Sequence, residues 1–257
     1  MLDGLGASAA MAVVDRQGQV LRDRFAARRD VGADMAAFRQ RASKITDADA
    51  LLKDRRTLQV VLEAFQLESE IDKRGILRRA LSEDPAGQDA LVNRLTDRRW
   101  RQFAADFAAR QGQPPLADAA LVERIVQNAT TNRYEKAMGA SNPGMREALY
   151  FRRMASQVTT VPQLMADSAL TEVLRGALGL PTQFGLLDFD QQRDLLNRRL
   201  DVSQLKDPKA VSRMTARYLA LRENAARPAT GAAALFEASG DASSIAALAA
   251  KRISFSA

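Results

Sequence analysis

Residues 51–67 read LLKDRRTLQVVLEAFQL, and residues 164–180 read LMADSALTEVLRGALGL. The two stretches align without a gap and share leucine at both ends, an aspartate at the fourth position, and a valine and an alanine between them. A β-branched residue and a threonine precede both stretches at the same spacing, at 45–46 and 158–159. A pattern that recurs in this way indicates an internal duplication of one structural unit.

Both stretches have the features of a capped helix. Asp54 and Asp167 stand at equivalent positions before the apolar pattern, where a carboxylate accepts a hydrogen bond from the free backbone N–H groups of a first turn. We therefore predict helix N-caps at these positions, rather than a pair of catalytic or metal-binding acids. The apolar residues of the first stretch recur three and four positions apart, which places them on one helix face: Leu58, Val61, Leu62 and Phe65.

The two stretches differ at their ends. Gly179 suits the left-handed C-terminal cap that closes many helices. The first stretch has Gln66 at the equivalent position, which weakens the prediction of such a cap there.

The composition favours helices throughout. Alanine, leucine and arginine dominate, and aromatic residues make up only 5% of the chain. We predict an all-α multi-helix bundle built from two related helical repeats. Its predicted parts are a mobile segment at 1–30, a helical domain at 31–224 with repeat 1 at about 45–110, linking helices at 117–156 and repeat 2 at about 158–222, and an Ala/Ser/Gly-rich tail at 225–257.

The chain has no cysteine and no histidine. Their absence excludes thiol nucleophiles, disulfides, cysteine- or histidine-ligated metals, and triads that need an imidazole. We predict no catalytic residue, no cofactor, no metal and no small-molecule substrate. The only residues that can be nominated for catalysis are Asp54, Asp167, Glu147 and Tyr150.

The formal net charge is +7 and the sequence pI is about 10.1. Arginines occur in pairs such as Arg55-Arg56 and Arg198-Arg199, and acidic residues stand close to them. This mixture is typical of solvated helix faces with local ion pairs, so nucleic-acid binding is not favoured. No apolar run is long enough to span a bilayer, and the apolar stretch at 7–14 lacks the basic segment that precedes a secretion signal.

An amphipathic stripe lies between the N-terminus and the first repeat. Its candidate partner-binding residues are Leu21, Phe25, Met35 and Phe38. Two interpretations remain open: the stripe packs onto the body of the same chain, or it forms a seam for a partner helix.

The link between two central helices contains Asn142 and Pro143. We predict that Gly139 ends one helix, that Asn142 caps the next, and that Pro143 occupies the first turn of that next helix.

Several blocks together resemble the DUF1217 family of alphaproteobacterial proteins. The matching blocks occur in the order LLKDRR at 51–56, AFQL at 64–67, NRLTDRRW at 93–100, NPGMREALYF at 142–151, LMADSAL at 164–170, ALGLP at 177–181 and KDP at 206–208. Members of this family are helical and tend to be encoded among flagellar genes, and the resemblance gives no active site to carry over to this chain.

The resemblance implies a non-enzymatic, flagellum-associated structural or assembly protein that acts through helix-mediated contacts. Its partners would be other flagellar proteins or further copies of itself. The alternative is a cytoplasmic chaperone or assembly factor for a flagellar subunit, and nucleic-acid binding is the least favoured. The expected location is the cytoplasm or the flagellum, reached by export without a cleaved signal peptide.

Overall fold

The computed structural model describes residues 2–108 and 113–226. These residues form thirteen α-helices and contain no β-strand, which confirms the predicted all-α class. The helices are α1 (Ala7–Ala26), α2 (Arg29–Ala42), α3 (Ala48–Lys53), α4 (Arg55–Ala64), α5 (Arg74–Ser82), α6 (Leu91–Arg94), α7 (Arg99–Ala108), α8 (Ala119–Ser141), α9 (Met145–Met154), α10 (Val161–Met165), α11 (Ser168–Ala177), α12 (Phe189–Arg199) and α13 (Pro208–Ala226). Short 3-10 helices lie at Glu68–Glu70, Ala155–Gln157, Thr182–Leu186 and Val202–Lys206.

Two hydrophobic cores organise the molecule. The first core is built mainly from α2 to α7 and the start of α8. The second core is built from α1, the end of α8, and α9 to α13. The long helix α8 joins them, because Leu121 and Ile125 lie in the first core while Tyr134 and Met138 lie in the second.

The two related stretches have the same local geometry. Asp54 is the N-cap of α4 and Asp167 is the N-cap of α11, and both helices are ten residues long. The helices that precede them are also capped at equivalent positions, α3 by Asp47 and α10 by Thr160. This agreement supports the duplication, whose common origin remains a prediction.

The ends of α4 and α11 agree as well. Gln66 and Gly179 are both left-handed, with φ of 58° and 62°. The residue after each donates a backbone hydrogen bond back across the last turn, from Leu67 to Leu62 at 2.8 Å and from Leu180 to the carbonyl of residue 175 at 2.9 Å. Both helices therefore end in the same left-handed cap, although only the second has the glycine that such a cap favours.

We predict that replacing Gln66 with glycine raises the free energy of unfolding by about 1 kcal/mol, because glycine adopts positive φ without a Cβ penalty. Urea denaturation of the full chain measures the change. The reciprocal change, Gly179→Ala, serves as the control and should lower the free energy of unfolding by a similar amount. If Gln66→Gly leaves the free energy of unfolding unchanged or lowers it, the positive φ of Gln66 does not destabilise the fold, and the prediction is wrong.

The N-terminal segment differs from the prediction. Residues 1–30 are predicted to be mobile, but α1 buries Ala7, Ala10, Met11 and Val14 in the second core. Two of these four buried residues are alanines, which give only a weak apolar pattern in the sequence. The helical body therefore begins before the predicted boundary at residue 31. The predicted tail, from residue 227 onward, lies outside the described residues.

Candidate functional site

The four candidate partner-binding residues lie in the interior. Leu21, Phe25, Met35 and Phe38 are between 0% and 6% exposed. The ring of Phe25 packs edge-on against Tyr134 of α8, with 5.7 Å between the ring centroids. This corrects the hypothesis of a partner seam, because side chains that fill the chain's own cores are not available to a second protein.

Asp54 stabilises the start of α4. Its carboxylate accepts from the backbone N–H of Thr57 at 3.1 Å and from the Thr57 hydroxyl at 2.7 Å. Burial opposes ionisation, but the bonds from Thr57 and the charge of Arg41 outweigh it, so the pKa of Asp54 lies below its ordinary value. Asp54 lies outside the cleft that contains Asp167.

The lowered pKa of Asp54 makes its contribution to stability depend on pH. The carboxylate stabilises the fold above the unfolded-state pKa of about 3.9, and this contribution is lost as the pH falls through the lower folded-state pKa. We predict that Asp54→Ala lowers the free energy of unfolding by about 1 kcal/mol at pH 7. Urea denaturation at pH 7 and pH 3 should show the two proteins converging at the acidic pH, and a constant difference would contradict a role for the charged form.

The link at Asn142 and Pro143 differs from the prediction. α8 continues past Gly139 to Ser141, and Asn142 is the C-cap of α8 rather than the N-cap of α9. Gly144 precedes α9 with φ of 88°, and Pro143 lies in the turn before it. A Cβ at Gly144 would lie 3.3 Å from atoms of Tyr218 and Leu219. The glycine, and not the proline, therefore decides how closely α9 approaches α13.

Asn142 itself is 1% exposed. Within the described part of the chain, neither its amide nitrogen nor its amide oxygen has a hydrogen-bond partner. A side chain that caps a helix accepts a hydrogen bond from the backbone, and the Asn142 amide accepts none. Asn142 therefore does not supply the N-cap expected from the sequence, although buried amides normally have partners.

A polar surface cleft of about 460 Å³ lies where the two halves of the molecule meet. It brings together three of the four residues nominated for catalysis, namely Glu147, Tyr150 and Asp167. The other residues that line it are Gln66, Asp97, Arg99, Glu135, Arg146, Met165, Ala166, Ser168, Ala169 and Glu172. The sequence did not indicate this cleft, because its walls come from helices far apart along the chain.

The contact between Tyr150 and Asp167 occupies both side chains. The Tyr150 hydroxyl donates to Asp167 Oδ2 at 2.5 Å, while Asp167 Oδ1 accepts from the backbone N–H groups of Ala169 and Leu170 at 3.0 and 3.2 Å. Burial, together with the neighbouring Asp167 carboxylate, raises the pKa of Tyr150 above its ordinary value. Tyr150 is therefore a neutral donor at physiological pH, and Asp167 is the cap of α11.

Arg99 closes one wall of the cleft. Its guanidinium binds Asp97 at 2.6 Å and donates to the backbone carbonyl of Gln66 at 2.6 Å. It thereby holds the start of α7 against the end of α4. Burial opposes the charged form, but the bond to Asp97 more than compensates, so the pKa of Arg99 is raised.

Arg146 and Glu147 are the charged residues of the cleft that form no short ion pair or hydrogen bond within the described chain. Arg146 is exposed and lies 3.8 Å from Glu68, and Glu147 is half-buried without a hydrogen bond or ion pair to any described residue. The cleft thus offers one cation and one anion for contact. Within residues 2–108 and 113–226, no group of three acidic side chains is arranged to hold a metal ion.

The first and last described helices lie side by side. The backbone N–H and hydroxyl of Ser8 donate to Glu223 at 3.0 and 2.8 Å. Further along, Arg152 of α9 bridges Asp15 of α1 and Ser212 of α13, at 2.6 Å to the serine. α1 and α13 therefore run antiparallel, with the start of α1 beside the end of α13.

Two large apolar side chains are exposed near this meeting of the ends. Leu5 is 42% exposed and Leu221 is 43% exposed. Leu5 stands just before Gly6, whose Cα lies close to Glu223, and Leu221 is two residues before that glutamate. Leu5 precedes the start of α1, and Leu221 lies near the end of α13 on a side turned away from Glu223. Exposed apolar side chains of this kind are available for contact with another protein.

Comparison with known proteins identifies relatives but no activity. Residues 64–211 match the family model described as "Protein of unknown function (DUF1217)". The crystal structure of protein AGR_C_984 from Agrobacterium tumefaciens is similar, with a TM-score of 0.75 and 24% sequence identity over 85% of this chain and 94% of that chain. At this identity the similarity shows the fold alone. No similar curated protein was found.

Proposed function

Since the chain belongs to the DUF1217 family, we propose that it is a non-enzymatic, flagellum-associated structural or assembly protein that acts through helix-mediated protein–protein contacts. The flagellar part of the proposal rests on the resemblance described above, whose members tend to be encoded among flagellar genes. The proposed partners are other flagellar proteins or further copies of the chain. The proposed location is the flagellum, reached by export without a cleaved signal peptide, or the cytoplasm.

The α1–α13 pair is the observation that supports a role in assembly. It brings the start of α1 and the end of α13 together, and one large apolar side chain near each of these helix ends is exposed, Leu5 and Leu221. A partner that contacts this place would touch both terminal helices at once. Among the described helices, none has the length and apolarity needed to cross a membrane.

The polar cleft favours contact over catalysis. Asp167, Tyr150 and Arg99 are each engaged in hydrogen bonds that hold helices together. A tyrosine that acts as a nucleophile or base needs neighbours that lower its pKa, so that the hydroxyl ionises. The surroundings of Tyr150 raise its pKa instead, so the hydroxyl stays protonated.

The alternative of a cytoplasmic chaperone depended on the amphipathic stripe from Leu21 to Ile45. Because this stripe is buried in the cores, the alternative now lacks the surface that motivated it. Binding through the α1–α13 pair remains compatible with either location.

Fractionation of flagellated cells tests the proposal. A tagged full-length chain should appear in the flagellar or supernatant fraction, and it should be lost from that fraction when flagellar export is blocked. Presence only in the cytosol, with no flagellar protein crosslinked to it, would overturn the proposal.

Surface variants connect this result to the structure. Leu5→Asp with Leu221→Asp should reduce crosslinking to flagellar proteins. Leu186→Asp is the matched control, because Leu186 is 86% exposed and belongs to the 3-10 helix at Thr182–Leu186 rather than to α1 or α13. Equal loss of crosslinking in both variants would remove the α1–α13 pair as the contact.

A further inference from the structure

The positive charge of the chain is concentrated in one segment. Residues 198–217 contain six basic and two acidic residues, which is a net charge of +4 out of +7 for the whole chain. The basic residues are Arg198, Arg199, Lys206, Lys209, Arg213 and Arg217, and all six are exposed. From the sequence we expected Arg198 and Arg199 to form local ion pairs with nearby acidic residues. In the described structure neither of them forms such an ion pair.

Both carboxylates of this segment are occupied by the backbone. Asp201 accepts from the N–H of Ser203 at 2.9 Å, and Asp207 accepts from the N–H groups of Lys209 and Ala210 at 2.9 and 3.2 Å. These acids are helix caps. Within the described chain, none of the six basic side chains has an acidic group within ion-pair distance.

Three of the cations form a line on α13. Lys209, Arg213 and Arg217 are each four residues apart, so they lie on one face at steps of about 6 Å along the helix axis. α13 is held on its other sides by α1 and α11, through Ser8–Glu223 and Arg222–Glu172. The line of cations therefore faces outward from a rigid element.

We propose that this line, named here the α13 basic stripe, binds an acidic helix of a protein partner. The inference deepens the proposed function, on which it rests for the class of partner. A helix with acidic residues every four positions repeats its charges at the same interval of about 6 Å. Charge complementarity at this spacing would set the register of the partner and speed its association.

The other polyanions fit the stripe less well. Residues 198–217 contain no aromatic side chain on which the bases of a single strand would stack. α13 lies between neighbouring helices and does not protrude as a helix that enters a major groove. The large apolar residues of the segment are buried or half-buried, so none of them is placed to enter a lipid surface: Leu200, Val202, Leu205, Val211 and Met214.

Binding of a synthetic peptide to the full chain tests the proposal. The probe is a fluorescent helical peptide with glutamate at every fourth position, and its control has the same composition with that spacing broken. We expect the spaced peptide to bind more tightly, and we expect Lys209→Gln with Arg213→Gln to weaken its binding about fivefold at low salt. Fluorescence anisotropy measures the affinity, and circular dichroism checks that each variant is folded.

The matched variant removes the same charge elsewhere. Arg24→Gln with Lys44→Gln alters two exposed cations that have no acidic partner in the described chain, and it should change the affinity by less than about twofold. Equal weakening by both variants, equal binding of both peptides, or tighter binding of duplex DNA or phosphatidylserine vesicles would overturn the proposal. Binding of the spaced peptide by a chain that is absent from flagellar fractions would keep this inference and overturn only the proposed function.

Discussion

Replacing Leu62 with alanine is expected to lower the free energy of unfolding by about 3 kcal/mol. Leu62 is fully buried in the first core, and its helix α4 packs against α8. Alanine would leave a cavity in this core, because neighbouring helices relax only partly around a missing side chain. Urea denaturation followed by circular dichroism measures the change.

The exposed Leu186 provides the control for this experiment. Leu186→Ala removes the same atoms from a side chain that is 86% exposed, and it should change the free energy of unfolding by less than about 0.5 kcal/mol. Similar effects of the two substitutions would contradict the position of α4 in the first core.

Replacing Arg133 with methionine is expected to lower the free energy of unfolding by about 3 kcal/mol. Arg133 of α8 binds Glu63 of α4 at 2.7 Å and Asp34 of α2 at 2.8 Å. The Glu63 side chain is only 9% exposed. Removal of the arginine leaves this carboxylate buried without its cation, which is the unfavourable outcome for a buried ion pair.

Two further variants separate this effect from a general loss of charge. Arg133→Met combined with Glu63→Met should recover much of the lost stability, because no unpaired charge remains in the interior. Arg28→Met breaks the exposed pair with Asp30 and should cost less than about 1 kcal/mol. If the double variant is no more stable than Arg133→Met alone, the buried charge is not the cause.

The helices of the two related stretches were predictable because their information is local. The spacing of Leu58, Val61 and Leu62 fixes one face of α4, and a carboxylate at Asp54 or Asp167 needs only the next three residues to act as a cap. Local patterns of this kind survive into the folded chain when packing agrees with them.

The positions that differ from the prediction depend on distant residues. Asn142 follows the pattern of an N-cap, but α9 begins where Gly144 permits contact with Tyr218, and that tyrosine lies far along the chain. The amphipathic stripe was visible in the sequence, whereas the surface that covers it was not. The ion pair between Glu63 and Arg133 likewise joins residues from separate helices.

The candidate site was the least predictable part. Asp167 and Tyr150 were nominated in one group with Asp54 and Glu147, but their hydrogen bond and the cleft around them exist only once α9 and α11 pack together. The α13 basic stripe was hidden for a different reason. Asp201 and Asp207 stand among these basic residues in the sequence and suggest local ion pairs, and only the structure shows that the backbone uses both carboxylates.

The continuous helix α8 links the behaviour of the two cores. Its 23 residues contribute Ile125 to one core and Tyr134 to the other, so neither half can open fully without exposing part of the same helix. We therefore expect destabilisation at one end to reach the other, so that the two cores unfold together in one transition. The amide protons between Ile125 and Tyr134 will be among the last to exchange with solvent, and a partner that clamps either half will slow their exchange along the whole segment.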